Sequence, residues 1–134
     1  MEPLLPAYSS SIGALGYVGA LMLIQLLVAD VTGIRRGHSP GSPVPADHGN
    51  VLFRVTRTVA NMNESIAIFL CGLIFCWLSA ASPSHTAVAA WAYAASRTLY
   101  AACYYADLRV PRSVCFGLSL LALAALPIIG FLAL

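Results

Sequence analysis

The stretch that decides the fold is an apolar run closed by a polar turn: Ser65-Ile-Ala-Ile-Phe-Leu-Cys-Gly-Leu-Ile-Phe-Cys-Trp-Leu-Ser-Ala-Ala81, followed by Ser82-Pro-Ser-His85. A helix needs about 20 mostly apolar residues to cross a hydrocarbon core of about 30 Å, and this run has that length together with the residues before it. Because the turn is tight and polar, the next helix must return beside the first. The stretch therefore predicts an antiparallel pair of membrane-spanning helices.

The composition extends this interpretation to the whole chain of 134 residues. Hydrophobic residues make up 60% of the sequence and charged residues only 9%, compared with about 25% charged residues in an ordinary soluble domain. The net charge of +2, without a basic stripe, predicts no nucleic-acid partner. The four cysteines lie in apolar segments without metal-type spacing, so we expect no metal site and no disulfide.

Four apolar segments are long enough to span a membrane, at about 12–34, 51–81, 86–106 and 113–134. The predicted fold is an all-α membrane protein with a four-transmembrane-helix bundle, in a single domain that covers residues 1–134. Residues 37–50 contain three prolines and three glycines, which predicts an irregular loop between the first two helices.

The arginines predict the orientation in the membrane. Arg35, Arg36, Arg54 and Arg57 flank the first loop, Arg109 and Arg112 lie in the third, and the second loop and both termini have no Arg or Lys. By the positive-inside rule, loops one and three face the cytoplasm and both termini face outward. The short loops and the lack of an endoplasmic-reticulum retrieval signal favour a bacterial inner membrane.

Two polar phrases interrupt the apolar helices. Arg57, Asn61 and Glu64 follow at i, i+4 and i+7 on one face of the second helix, and Arg54 lies one turn before them. Arg97, Tyr100 and Tyr104 have a similar spacing on the third helix. Since ionisable groups at bilayer depth cost about 2.5 to 3.5 kcal/mol on insertion scales, they indicate a functional site. We hypothesise an ion pair between Arg97 and Glu64.

Structural roles are an open alternative for each of these residues. Arg35 and Arg54 could simply anchor the topology, and Asn61 could form a hydrogen bond between helices. Tyr100 and Tyr104 could belong to an interfacial aromatic belt. His38, His48 and His85 are interpreted as solvated loop residues. Convergence of the polar groups at one depth favours a polar, zwitterionic ligand that carries carboxylates, because guanidinium groups bind carboxylates and Glu64 can bind an ammonium group.

The ordered set Arg54-x-x-Arg57-x-x-x-Asn61-x-x-Glu64, Arg97-x-x-Tyr100-x-x-x-Tyr104 and Val110-Pro-Arg112-Ser113 resembles the MAPEG superfamily of membrane proteins in eicosanoid and glutathione metabolism. The resemblance covers essentially the whole chain and implies a homotrimer that binds glutathione between subunits near the cytoplasmic face. It implies that glutathione contacts come from Arg35, with Arg36 as the alternative, and from Arg54, Arg57, Asn61, Glu64, Tyr100 and Tyr104. Arg97 matches a mainly structural arginine of the family.

Catalysis is assigned, by the same resemblance, to Arg112 and Ser113 beside the glutathione thiol. A guanidinium lowers the pKa of a neighbouring thiol and so raises the fraction of reactive thiolate. The approach to Arg112 is one residue shorter than in several relatives, which leaves Arg109 open as the alternative. Phe116 stands where some relatives have a tyrosine.

Three functions compete. The first is a glutathione-dependent transferase or peroxidase, which acts on lipophilic electrophiles or lipid hydroperoxides that enter from the bilayer between helices one and four. The second is a non-catalytic MAPEG-like lipid-binding protein, which would be expected to lose glutathione-binding positions. The third is a small four-helix drug transporter, which would be expected to carry a carboxylate early in its first helix, where residues 12–29 have none.

Overall fold

The computed structural model describes residues 4–134, and this part of the chain is helical with no strand. The elements are α1 (Leu4–Ala7), α2 (Ser9–Arg35), α3 (Val51–Leu78), α4 (Pro83–Tyr105) and α5 (Arg109–Phe131). The predicted domain also included residues 1–3, which lie outside the described residues. Four long helices follow the single turn of α1, as the hydropathy pattern predicts.

The helix ends differ from the predicted ones at the prolines. α4 begins at Pro83 rather than near residue 86, because proline fits the first turn of a helix, where no backbone N–H is needed. Ser82 caps this helix by accepting a hydrogen bond from the His85 N–H (3.5 Å). α5 likewise starts at Arg109 rather than near 113, with Pro111 in its first turn. Arg112 is therefore inside the helix.

Consecutive long helices run antiparallel. At one end of the bundle the Tyr8 hydroxyl donates to the Ala81 carbonyl, and Trp77 Nε1 donates to Ser11 Oγ (3.0 Å). At the other end the hydroxyls of Thr58 and Tyr105 lie 3.5 Å apart. The link between α3 and α4 is tight enough to require a positive φ of 51° at Ala80.

The core lies where α3 and α4 meet the other two long helices, since each of these two contacts α2 and α5 as well as the other. Phe69 stacks on Tyr93 with ring centroids 4.4 Å apart, and both side chains are fully buried. Gly72 lets α3 approach α5 closely, because a Cβ added there would lie 2.8 Å from Leu126 Cβ. Packing of this closeness fixes the relative rotation of the helices that carry the polar residues.

Within the described residues α2, α3 and α5 are long and apolar enough to cross a membrane. These three helices correspond to the predicted segments at about 12–34, 51–81 and 113–134. α4 is not in this set, although its 23 residues correspond to about 34 Å of helix. Arg97 and the Ser, Thr and Tyr residues of α4 lower its hydropathy, so the predicted span at about 86–106 remains a proposal.

Candidate functional site

Polar side chains gather at the end of the bundle where α3 begins, α4 ends and α5 begins. The loop of residues 36–50 lies at the same end and leads into α3. Its last turn is fixed locally, because Asn50 Oδ1 caps α3 by accepting from the Leu52 N–H (3.0 Å) and Asp47 Oδ1 accepts from the Gly49 N–H (2.9 Å). We call the assembled group the polar cluster; it comprises His48, Arg54, Arg57, Asn61, Glu64, Arg97, Tyr100, Tyr104 and Arg112.

The first part of the polar cluster is a chain of contacts along α3. Arg57 Nη1 lies 3.0 Å from Glu64 Oε1, and Asn61 Nδ2 donates to Glu64 Oε2 (3.2 Å). Arg57 and Glu64 keep 37% and 58% of their side-chain surface exposed, whereas Asn61 is buried. The ion pair can therefore contact a ligand directly, while the buried Asn61 holds Glu64 by its hydrogen bond.

The predicted ion pair between Arg97 and Glu64 is wrong. Arg97 Nη2 donates instead to Asn61 Oδ1 (2.6 Å), so the amide of Asn61 stands between the two charged groups. Glu64 pairs with Arg57 instead, because both residues lie on the same face of one helix, two turns apart. Arg97 is 1% exposed, and its guanidinium lies 4.5 Å from the centre of the Tyr100 ring.

Tyr104 is the centre of the second part of the polar cluster. Its ring meets the Tyr100 ring edge-on at 5.5 Å, and the guanidinium carbon of Arg112 lies 4.3 Å from its centroid. Arg112 Nη1 is buried without a hydrogen-bond partner among residues 4–134. A buried unpaired guanidinium N–H favours an acceptor or an anion at this position.

Arg109, the alternative to Arg112, and Ser113, the other predicted catalytic residue, lie at the edge of the polar cluster. Arg109 is exposed at the start of α5. Ser113 is also exposed, and its hydroxyl donates to the Arg109 carbonyl (3.1 Å) within the same helix. The geometry thus brings Arg112 into the polar cluster and leaves Arg109 and Ser113 at its edge. The Phe116 ring lies 6.1 Å from that of Tyr100.

Arg35 is not part of the polar cluster in the single chain. It lies exposed at the last turn of α2, and its side chain forms no hydrogen bond to the described residues. Of the predicted ligand-binding residues, the structure brings together Arg54, Arg57, Asn61, Glu64, Tyr100 and Tyr104 and leaves Arg35 apart.

His48 is the residue that the sequence interpretation missed. It was expected to be solvated, but its Nε2 lies 3.1 Å from the Tyr104 hydroxyl and its backbone carbonyl accepts from Arg54 Nη1 (2.7 Å). Its ring also stacks on Tyr104 with centroids 5.9 Å apart. No helical period extends into a loop rich in Pro and Gly, so the sequence carried no signal for this contact.

The sequence model of the MAPEG family matches residues 12–132. The chain belongs to the MAPEG family. No curated protein matches the chain closely enough to assign a particular activity. The MAPEG family includes membrane glutathione transferases and related enzymes together with non-catalytic members, and its members typically use glutathione. Membership suggests a membrane protein with a function related to glutathione or eicosanoids, without choosing among the activities of the family.

The electrostatic balance of the MAPEG site is positive. The polar cluster contains four arginines and a single carboxylate, that of Glu64. Among the described residues no group of three His, Cys, Asp or Glu side chains is arranged to hold a metal ion. What the cluster can do chemically is bind carboxylates through Arg57 or Arg54, bind an ammonium group through Glu64 and stabilise an anion beside Arg112.

Proposed function

We propose that this protein is a membrane-bound glutathione transferase with peroxidase activity as a related reaction. Its second substrates would be lipophilic electrophiles or lipid hydroperoxides. The observation that carries the proposal is the polar cluster itself, in which an accessible Arg57–Glu64 pair lies at the same bundle end as the partly buried Arg112. MAPEG membership supports glutathione as the co-substrate.

The chemistry of the polar cluster fits glutathione. The tripeptide carries two carboxylates, one ammonium group and one thiol, and the cluster offers guanidinium groups for the first and Glu64 for the second. The Arg112 side chain is partly exposed, and its guanidinium, which forms no hydrogen bond within residues 4–134, offers N–H donors for the sulfur. Asn61 would act by holding Glu64, because both ends of its amide already form hydrogen bonds.

In the transferase reaction the thiol gives its proton to water, and Arg112 stabilises the thiolate. The sulfur electron pair forms the new bond to carbon as the leaving group departs with the electrons of the old bond. In the peroxidase reaction two glutathione molecules are oxidised to the disulfide, while a lipid hydroperoxide is reduced to the alcohol and one water is released. In both reactions the guanidinium acts by lowering the pKa of the thiol.

A homotrimer is the assembly that the proposal implies. Arg35, at the exposed end of α2, would then reach the site of a neighbouring subunit rather than its own. The lipophilic substrate would enter from the bilayer beside α2 and α5, whose outer faces carry exposed apolar residues such as Leu27 and Leu121. The site would face the cytoplasm of a bacterial cell, on the arginine distribution of the loops.

The test is glutathione titration of the detergent-solubilised protein by calorimetry, together with conjugation of a chloronitrobenzene. Arg112→Ala should lower kcat by about 10-fold or more, equivalent to about 1.4 kcal/mol of transition-state stabilisation, with a much smaller loss of glutathione affinity. Arg109→Ala is the matched control, since Arg109 is a neighbouring exposed arginine of the same helical turn.

Two results would contradict the proposal. An equal loss of affinity and turnover in Arg112→Ala would make Arg112 a binding residue only. Absence of both glutathione binding and conjugation in the wild-type protein would favour a non-catalytic, lipid-binding member of the family.

A further inference from the structure

Near its end, the loop before α3 contacts Tyr104 through the side chain of His48. His48 Nε2 and the Tyr104 hydroxyl lie 3.1 Å apart, and the two rings are stacked with an interplanar angle of 23°. One side chain thus contacts Tyr104 through both a hydrogen bond and a ring face.

His48 is itself held in place from α3. Arg54 Nη1 donates to the His48 carbonyl (2.7 Å), and the Phe53 and His48 rings form a T-shaped contact with centroids 5.1 Å apart. The turn of Asp47 spans His48, and the cap of Asn50 fixes the backbone on its C-terminal side. His48 therefore approaches Tyr104 from a braced position, unlike His38, whose ring contacts only Ser42 of its own loop among the hydrogen bonds of residues 4–134.

Tyr104 transmits this restraint to α5. Its side chain is 5% exposed, and its ring forms the face against which the Arg112 guanidinium packs at 4.3 Å. Arg112 Nη1 has no hydrogen-bond partner in the described part of the chain, so the ring of Tyr104 is a principal restraint on the guanidinium. A tyrosine free to rotate would leave Arg112 less well placed.

We propose that His48 is a positioning residue, which acts through Tyr104 to hold the guanidinium of Arg112 at the thiol. The inference rests on the proposed glutathione chemistry and assigns His48 a part in the turnover step. Arg57 and Glu64 on α3 form no hydrogen bond with His48 within residues 4–134, so we expect the KM for glutathione to depend less on His48 than kcat does.

The test compares His48→Ala and His48→Gln with wild type in the conjugation assay, with His38→Ala as the matched loop control. His48→Ala should lower kcat about 3- to 10-fold, the effect of one lost hydrogen bond, while His38→Ala stays at the wild-type value. The KM for glutathione should change by less than about 2-fold in all three variants. His48→Gln should recover part of the lost kcat, since its amide can hydrogen-bond the Tyr104 hydroxyl.

A double-mutant cycle tests whether His48 acts through Tyr104. Tyr104→Phe keeps the ring for Arg112 and removes the hydroxyl, so it should lower kcat to a similar extent as His48→Ala. Adding His48→Ala to Tyr104→Phe should then lower kcat less than it does in the wild-type background. The ultraviolet absorbance of enzyme-bound thiolate should fall in parallel with kcat in each variant.

The outcomes separate the two proposals. If wild type conjugates glutathione and His48→Ala does so equally well, or if the two changes in the cycle are fully additive, the role of His48 is refuted. If wild type neither binds nor conjugates glutathione, the proposed function is refuted and the positioning role with it. Gel-filtration elution and helical content report whether each variant is folded, and Tyr104→Phe with His48→Gln carries the test if His48→Ala does not fold.

Discussion

Replacing Asn61 by leucine should destabilise the protein far more than the loss of an ordinary polar side chain. Asn61 Oδ1 accepts from Arg97 Nη2 (2.6 Å), and its Nδ2 donates to Glu64 (3.2 Å). Arg97 is 1% exposed, and its Nε and Nη1 are already unpaired among residues 4–134. Asn61→Leu keeps the shape of the side chain and removes the hydrogen bond of a buried cation.

The magnitude follows from the two halves of the bridge. A hydrogen bond to a charged group is worth about 1.5–3 kcal/mol, and the loss falls near the upper end where the charged partner stays buried. The Glu64 half adds little, since Glu64 is 58% exposed and keeps Arg57. Arg97 retains its contact with the Tyr100 ring at 4.5 Å, so the loss of stability is smaller than when one partner of a buried ion pair is removed. We expect a loss of about 2–3 kcal/mol, or about 7–11 °C in Tm for a chain of this length.

Thermal unfolding in detergent, followed by tryptophan fluorescence, measures the change. Asn63→Leu is the control, because Asn63 is exposed on the same helix and forms no side-chain hydrogen bond within the described residues. Adding Arg97→Met to Asn61→Leu should recover part of the lost stability by removing the unpaired charge. If Asn61→Leu costs no more than Asn63→Leu, Arg97 finds another partner in the membrane and the reasoning fails.

Three further predictions address packing, burial and orientation. Gly72→Ala should lower the free energy of unfolding by about 1–3 kcal/mol, because the new Cβ would lie 2.8 Å from Leu126 Cβ. Gly117→Ala is the control in the same unfolding assay. Since nothing lies within 4 Å of its new Cβ, the free energy of unfolding should stay unchanged or rise by up to about 1 kcal/mol. Gln25→Leu should raise the free energy of unfolding by about 1–3 kcal/mol, since both amide atoms are buried without a partner in residues 4–134; a lower free energy of unfolding would show that a bound water satisfies the amide. A reporter that works only outside the cytoplasm should be active when it is fused to the C-terminus of this protein. Activity of a reporter that works only in the cytoplasm would reverse the proposed orientation.

The sequence was sufficient to predict the helices and the grouping of their polar residues. Hydropathy over windows of about 20 residues locates apolar helices, and a spacing of three or four residues places side chains on one face. Arg57, Asn61 and Glu64 share contacts for this reason. Hydropathy places the starts of α4 and α5 too late, near 86 and 113, because it carries no signal that Pro83 and Pro111 fit the first turn of a helix.

The pairing across helices could not be predicted from periodicity. Arg97 had two acceptors on α3, Glu64 and Asn61, which lie one turn apart. A choice between them depends on rotations and offsets of a few ångströms, which close contacts such as that of Gly72 with Leu126 determine. His48 posed a second problem of this kind, since a loop has no period that places a side chain on a particular ring.

The low hydropathy of α4 has the same origin as the polar cluster. Its buried positions carry Arg97, Tyr100 and Tyr104, which contact α3, the loop before α3 or α5 rather than lipid. Its exposed positions include Val88 and Leu99, which suit a hydrocarbon environment. Because α4 contacts all the other long helices, protein can cover its polar face. A mean over all residues of α4 combines these two faces, so its low value is what a spanning helix that builds a polar site should show.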